Sequence, residues 1–240
     1  MKRLYDKNAF GFSLLWIGVY VVGLSLADGI SSAVGVEKII TAPLSTCMTV
    51  YLLIWLGRNG LLGTYGLKKK RISGRPYLWF LPLVIMASTN LWGGVALQYS
   101  LPETALYVVS MIGVGILEEV IFRGFLFKAL CRENVKWAVV VSSLTFGIGH
   151  VVNLLNGADL LPTLLQICYA TAAGFLFTVI FLRSGNLLPC IVTHSVINSL
   201  SVFGAERSPL LDILAAAALT GLSLLYALWI IKATNKPQTH

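Results

Sequence analysis

Residues 10–34 read FGFSLLWIGVYVVGLSLADGISSAV, and Asp28 carries the only charged side chain among them. A transmembrane α-helix needs about 20 predominantly apolar residues, so this stretch predicts a helix that crosses a bilayer. Comparable stretches recur along the chain, separated by short polar or Gly- and Pro-containing breaks. The predicted spans lie near residues 10–34, 40–62, 77–98, 104–128, 137–155, 160–182, 186–204 and 209–231. We therefore predict an all-α fold: a polytopic membrane helix bundle of about eight transmembrane helices, forming one membrane domain over residues 1–240.

The composition supports a membrane protein. Hydrophobic residues make up 57% of the 240 residues and charged residues 12%, whereas roughly a quarter of the residues are charged in a typical soluble domain. A soluble protein of this length could not bury so much apolar side chain. A bilayer solvates the outer faces of such helices, so the lipid bilayer is the first expected partner.

Basic residues fall almost entirely on one side of the predicted spans. Fifteen of the 18 Lys and Arg residues lie on that side, Lys38 and Arg207 lie on the other, and Arg123 lies within a span. The fifteen are Lys2, Arg3, Lys7, Arg58, Lys68, Lys69, Lys70, Arg71, Arg75, Lys128, Arg132, Lys136, Arg183, Lys232 and Lys236. Cytoplasmic loops carry an excess of Lys and Arg. We therefore predict a multi-pass protein of the cell membrane with both termini in the cytoplasm.

The formal net charge of +8 consequently indicates orientation, and we expect no nucleic-acid partner. The segment Ser25-Leu26-Ala27 loosely resembles a signal-peptide cleavage site. The apolar stretch before it is long for a signal peptide, so we expect an uncleaved first helix.

Ionisable side chains at membrane depth are costly, by about 2.5–3.5 kcal/mol each on insertion scales, and are by default functional candidates. The fourth predicted span contains Glu118-Glu119-Val120-Ile121-Phe122-Arg123. Glu119 and Arg123 are four residues apart, so on an α-helix they share a face and can form an ion pair. Glu118 is rotated by about 100° from Glu119 and is free to meet another helix.

Two further polar clusters contain the internal histidines. Phe146-Gly147-Ile148-Gly149-His150 lies in the fifth predicted span, with Asn153 nearby, and the two glycines permit close approach of another backbone or a substrate. His194-Ser195-Val196-Ile197-Asn198 lies in the seventh, where His194 and Asn198 share a helix face. From the cytoplasmic ends of their spans, Glu118 and His194 lie roughly 12–16 Å deep and His150 about 20 Å. We expect the three clusters to converge inside the bundle.

A carboxylate, two histidines and an asparagine are suited to water-mediated hydrolysis. A carboxyl group in a low-dielectric site has its pKa raised toward the range useful for a general base, and paired donors can stabilise an oxyanion. One Glu and two His could equally supply three ligands to a catalytic zinc with water in the fourth position. Glu118, His150 and His194 are the candidate zinc ligands, although no cofactor is firmly indicated.

Three motifs together resemble a known family. EEVIFRG (118–124), FGIGH (146–150) and HSVIN (194–198) are similar to the EExxxR, FxxxH and HxxxN motifs of the CAAX-protease and bacteriocin-processing family of intramembrane proteases. That family also includes the Abi-type bacteriocin self-immunity proteins. The resemblance covers a motif-bearing core at residues 104–204, similar to CAAX prenyl protease 2. The first three predicted spans match only as generic membrane helices.

The resemblance implies roles for individual residues. Glu118 and His150 would activate the attacking water, His194 and Asn198 would stabilise the oxyanion, and Arg123 would position Glu119. The expected catalytic set is Glu118, Glu119, His150, His194 and Asn198, and the expected substrate-binding set is Arg123, Phe146 and Asn153. The family is usually called a metalloprotease family, and a metal-free glutamate mechanism is the alternative within it. Asn198 is a better oxyanion donor than metal ligand, which favours the mechanism without a tightly bound metal.

The sequence thus favours an intramembrane endopeptidase that acts on a membrane-associated peptide or on the C-terminal segment of a protein, as in CAAX-type or bacteriocin processing. A second hypothesis is a non-catalytic bacteriocin-immunity or scaffold protein that uses the polar network for helix packing. A third is a transporter with a Glu and His proton relay. Transporters often contain repeated halves with broken helices, and the sequence shows none.

Overall fold

The computed structural model describes residues 1–68 and 80–234, and the regular structure in these ranges is helical. The α-helices of this part of the chain are α1 (Lys2–Lys7), α2 (Ala9–Val34), α3 (Thr41–Arg58), α4 (Leu81–Ser88), α5 (Leu101–Glu118), α6 (Phe127–Leu130), α7 (Val135–Gly149), α8 (Val152–Leu155), α9 (Leu160–Ser184), α10 (Leu188–Leu200) and α11 (Pro209–Thr234). A π-helix, Glu119–Leu126, joins α5 to α6. Short 3₁₀ turns follow α4 and α10, at Thr89–Leu91 and Ser201–Phe203.

The predicted polytopic helical bundle is confirmed, with shorter helices at some positions. Helices occur at all eight predicted places, but five in the described ranges are long and apolar enough to cross a membrane: Ala9–Val34, Leu101–Leu130, Val135–Leu155, Leu160–Ser184 and Pro209–Thr234. The apolar helices Leu81–Leu91 and Leu188–Phe203 are shorter, and α3 has 18 residues. The predicted span 77–98 begins outside the described residues, as does most of the predicted cytoplasmic Lys68–Arg71 loop.

The helix that carries the glutamates begins at a defined signal. The Glu103 carboxylate accepts hydrogen bonds from the backbone N–H and hydroxyl of Ser100, and Pro102 lies in the first turn. Both features favour a helix start. The helix then continues through α5, the π-helix and α6 to Leu130. One continuous element therefore positions Glu118, Glu119 and Arg123.

Glycines let neighbouring helices approach this element closely. A Cβ at Gly115 would lie 2.8 Å from the backbone nitrogen of Ser195, so α10 packs directly against α5 at that point. A Cβ at Gly147 would lie 2.9 Å from the carbonyl oxygen of Ile167, which gives the same close contact between α7 and α9. Small residues at such interfaces let membrane helices approach backbone to backbone. The expected close approach at Gly147 is confirmed, whereas a Cβ at Gly149 would meet no described atom within 4 Å.

Candidate active site

A cavity of about 460 Å³ lies within the bundle, and the predicted polar clusters meet in it. Its lining includes the four residues that the sequence analysis expected to converge, namely Glu118, His150, His194 and Asn198. Phe146 and Asn153 line it as well. The predicted convergence inside the bundle is therefore present, and it brings together side chains from α5, α7, α8 and α10.

The ion pair between Arg123 and Glu119 is present and fully buried. Arg123 Nη1 lies 3.1 Å from Glu119 Oε1, and both side chains are 0% exposed. The guanidinium carbon lies 3.9 Å from the centre of the Phe146 ring. A Cβ at Gly174 would lie 3.0 Å from Arg123 Nη2, so glycine leaves space for the guanidinium there. The pair is thus enclosed by protein on several sides.

The cavity does not extend to this ion pair. Within the described part of the chain, neither Glu119 nor Arg123 is among the residues that line it. The expectation that Arg123 contacts substrate therefore does not fit the structure, because the Phe146 ring covers its guanidinium. Its position behind Glu119 agrees with the other role implied by the resemblance, the positioning of Glu119.

His194 lies between the two glutamates. Its Nδ1 is 2.9 Å from Glu119 Oε1 and its Nε2 is 3.3 Å from Glu118 Oε2. The side chain is 8% exposed. Both ring nitrogens are thus directed at carboxylates, although the sequence analysis expected His194 and Asn198 to donate to one substrate oxygen. In this structure the imidazole links Glu119 to Glu118. Asn198, the other residue of the predicted donor pair, also lines the cavity.

Tyr20 is a site residue that the sequence analysis missed. Its hydroxyl donates a hydrogen bond of 2.5 Å to Glu118 Oε1, and it too lines the cavity. Tyr20 belongs to α2, nearly one hundred residues earlier in the chain. An aromatic residue in an apolar span has the pattern of a packing residue, so the sequence offered no signal for this contact. Glu118 is consequently held from two helices, with Tyr20 at one oxygen and His194 at the other.

His150 lies at the end of a helix rather than within one. α7 ends at Gly149, and a turn at His150 precedes α8. The imidazole Nδ1 lies 3.0 Å from the carbonyl oxygen of Phe146. Because a carbonyl only accepts, Nδ1 is the donor in this contact, and in the neutral ring Nε2 then carries the lone pair. Asn153, in α8, donates a 2.8 Å hydrogen bond to the Gln166 side chain.

The π-helix begins at Glu119, the second residue of the first motif. In regular α-helical geometry Glu118 and Glu119 would point to different sides. In the structure both carboxylates contact one imidazole. π-helical turns are rare and occur frequently at functional sites. The motif thus combines an irregular helix with three ionisable side chains.

The residues proposed as zinc ligands, Glu118, His150 and His194, all line the cavity. Among residues 1–68 and 80–234, no group of three or more His, Cys, Asp or Glu side chains is arranged to hold a metal ion. Glu118 and His194 are neighbours, and the contact of His150 Nδ1 with the Phe146 carbonyl leaves Nε2 of that ring free. A zinc site at Glu118, His150 and His194 stays a prediction, and we assign no step of the reaction to a metal.

Comparisons with known proteins agree with the motifs. Residues 100–200 match the family model described as type II CAAX prenyl endopeptidase Rce1-like. The resemblance stated from the motifs is therefore confirmed over these residues. A Bacillus subtilis (strain 168) protein named "Putative membrane peptidase YdiL" is 37% identical over 98 residues, which is 40% of this chain and 36% of that protein. No solved structure matches the chain significantly.

The matched region has defined limits in the structure. It contains α5 through α10, and hence both glutamates, Arg123, both histidines and Asn198. Tyr20 lies outside it, on α2. The family similarity therefore covers the motif residues, while one of the two side chains that contact Glu118 comes from the unmatched part.

Proposed function

We propose that this chain is an intramembrane endopeptidase in which Glu118 activates a water molecule to hydrolyse a peptide bond. The substrate class is a membrane-associated peptide or the C-terminal segment of a membrane-associated protein. The observation that carries the proposal is the position of Glu118. It is 9% exposed, lines the cavity, and is contacted by side chains from two other helices. A buried carboxylate of this kind suits a general base better than a surface ion pair.

A chain of contacts that starts at Arg123 orients Glu118. Arg123 pairs with Glu119, Glu119 accepts from Nδ1 of His194, and Nε2 of His194 then faces Glu118. This resembles the logic by which a carboxylate fixes the tautomer of a catalytic histidine. Tyr20 donates to the other oxygen of Glu118 and limits its rotation. Glu119 and Arg123 therefore act as positioning residues away from the cavity, whereas Glu118, His194 and Tyr20 line it.

The proposed reaction uses these groups in turn. The water oxygen attacks the peptide carbonyl carbon while Glu118 takes one water proton, and His150 Nε2 accepts a hydrogen bond from the same water. The side-chain amide of Asn198 donates to the oxyanion of the tetrahedral intermediate. When the C–N bond breaks, the proton held by Glu118 and shared with His194 Nε2 passes to the leaving amine. The products are a carboxylic acid, which keeps the second water proton, and an amine, so protons and electrons balance without a co-reactant.

The test is a cleavage assay with purified protein in liposomes and a set of apolar fluorogenic peptides as probes. Glu118→Gln should lower the cleavage rate about 10²–10⁴-fold, the usual contribution of a general base, while the protein remains folded. Glu133→Gln is the matched control, because Glu133 is exposed and lies in the turn after α6. A Glu118→Gln protein that cleaves at the wild-type rate would exclude Glu118 as the base.

A non-catalytic scaffold is the alternative that the same assay addresses. It would use the buried network to hold α2, α5 and α10 together. A scaffold predicts no cleavage by the wild-type protein and normal membrane abundance of Glu118→Gln. The cleavage assay is run on each protein with and without a chelator, so it also measures whether cleavage depends on a metal.

A further inference from the structure

The cavity extends along the helix axes in one direction from Glu118. Tyr20 contacts Glu118, and Asp28, eight residues later on α2, also lines the cavity. Eight residues of α-helix correspond to about 12 Å. Met111 lies seven residues before Glu118 on α5 and lines the cavity too, about 10 Å away along that axis. The cavity therefore extends toward the C-terminal end of α2 and the N-terminal end of α5.

The far end of the cavity is formed by residues at one end of the bundle. They belong to the α2–α3 connection, the start of α3, the N-terminal half of α5, the α8–α9 connection, the first turn of α9 and the segment before α11. They are Lys38, Thr41, Tyr107, Asn156, Pro162 and Arg207. Asn156 and Pro162 are exposed. We call this end the mouth of the cavity.

The opposite side of Glu118 is closed by packed side chains. Arg123 is 0% exposed, Phe127 1% and Phe181 2%. In the described ranges none of these three residues lines the cavity. They lie toward the end of the bundle where α5–α6 and α9 finish, which is the end that carries Lys128, Arg132 and Arg183. The cavity thus has a floor on the basic side of Glu118.

The mouth is at the end of the bundle that is poor in basic residues. Lys38 and Arg207 are the two basic residues assigned to that side, and both line the mouth. Each is paired with an aspartate that also lines the cavity: Lys38 with Asp28 at 2.8 Å, and Arg207 with Asp212 at 2.8 Å. Burial lowers the pKa of Lys38, but the hydrogen bond and charge of Asp28 outweigh it and raise that pKa above its ordinary value. The mouth is therefore a rim of charged and polar side chains that water can solvate.

We infer that the cavity opens to the non-cytoplasmic side of the membrane, so that a substrate reaches Glu118 from outside the cytoplasm. The mouth lies opposite the end with fifteen of the 18 basic residues, and such residues are concentrated in cytoplasmic loops. The substrate class that fits is an extracytoplasmic, juxtamembrane polypeptide segment, such as that of an exported and membrane-anchored peptide. A tail presented from the cytoplasm would meet the floor. That such a segment is cleaved rests on the proposed function; the position of the opening does not.

Cysteine labelling in intact cells tests the opening. The background carries Ser at Cys47, Cys131 and Cys168 and Ala at the buried Cys190. Single cysteines are then introduced by Asn156→Cys at the mouth, Met111→Cys in the cavity and Glu133→Cys at the basic end. A small membrane-impermeant maleimide should modify the first two in intact cells. It should modify the third at least ten times more slowly until the membrane is permeabilised.

Two results would overturn the inference. Modification of Glu133→Cys in intact cells would reverse the orientation, and modification of Met111→Cys only after permeabilisation would place the opening on the cytoplasmic side. Gel filtration of each variant confirms that the labelled protein is folded. The labelling does not depend on cleavage. If it gives the expected pattern while wild type cleaves no probe peptide added outside the cells, the opening stands and the proposed function fails.

Discussion

Replacing Glu119 by Gln tests the buried ion pair on which the site is built. The substitution keeps the shape of the side chain and removes its charge. In the described part of the chain, the ion pair recorded for Arg123 is the one with Glu119, at 3.1 Å, and neither side chain is exposed. Breaking a buried pair from one side typically costs about 3–5 kcal/mol, because it leaves an uncompensated charge. The contacts of Arg123 with the Phe146 and Phe177 rings are unchanged and cancel from the difference.

The lower end of that range applies here. The Gln carbonyl oxygen can still accept the hydrogen bond from His194 Nδ1, so that contact survives while the charge attraction to Arg123 is lost. We therefore expect the free energy of unfolding to fall by about 3 kcal/mol, roughly a hundredfold in the folding equilibrium constant. Reversible unfolding by SDS in mixed micelles, followed by the fluorescence of the six tryptophans, measures this difference.

A double variant provides the control. Glu119→Gln combined with Arg123→Met removes both charges and keeps an unbranched side chain of similar length at position 123. Replacing a whole buried pair by apolar groups is often neutral or stabilising, so the double variant should recover most of the lost stability. If Glu119→Gln alone costs less than about 1 kcal/mol, or if the double variant is less stable than the single one, the pair does not hold the site together.

Three further substitutions separate positioning from packing. Tyr20→Phe removes one hydrogen bond to Glu118, worth about 1.5–3 kcal/mol for a charged acceptor. It should lower kcat at least tenfold with little change in KM, and an unchanged kcat would contradict a positioning role for Tyr20. Gly115→Ala should displace α10 and cost about 1–3 kcal/mol of stability. Gly221→Ala is the control, because no described atom lies within 4 Å of the added Cβ, and it should leave stability unchanged. Equal unfolding curves for the two variants would argue against the close approach of α10 to α5. His150→Gln should abolish cleavage of the fluorogenic peptides but leave membrane abundance unchanged, and reduced abundance would indicate a structural role.

The sequence predicted what depends on local pattern. Apolar length located the helices, and the four-residue spacing of Glu119 and Arg123 predicted an ion pair that the structure contains. Both are properties of one segment. Convergence of His150 and His194 with Glu118 was also predictable, because ionisable side chains within a bilayer face the interior of the bundle and pair with one another there.

The sequence did not predict what depends on contacts between helices. Tyr20 has the appearance of a packing residue until α2 is placed beside α5. The link that His194 forms between Glu118 and Glu119 requires the relative height of α5 and α10, which spacing within either helix does not give. The π-helix at Glu119–Leu126 has no local signal, because the same residues fit an α-helix equally well. The break after Gly149 likewise divides the single span predicted over residues 137–155.

The order of the contacts along the chain has a consequence for synthesis and insertion. Chains are made from the N-terminus, so α2 and Tyr20 enter the membrane before α5 arrives with its two glutamates. Arg123 enters on the same helix as Glu119, and the pair is self-neutralising before later helices exist. His194 arrives last, on α10. A nascent chain that ends before Leu188 thus already contains a partner for each glutamate, and α5 can integrate from the translocon without waiting for the helix that completes the site.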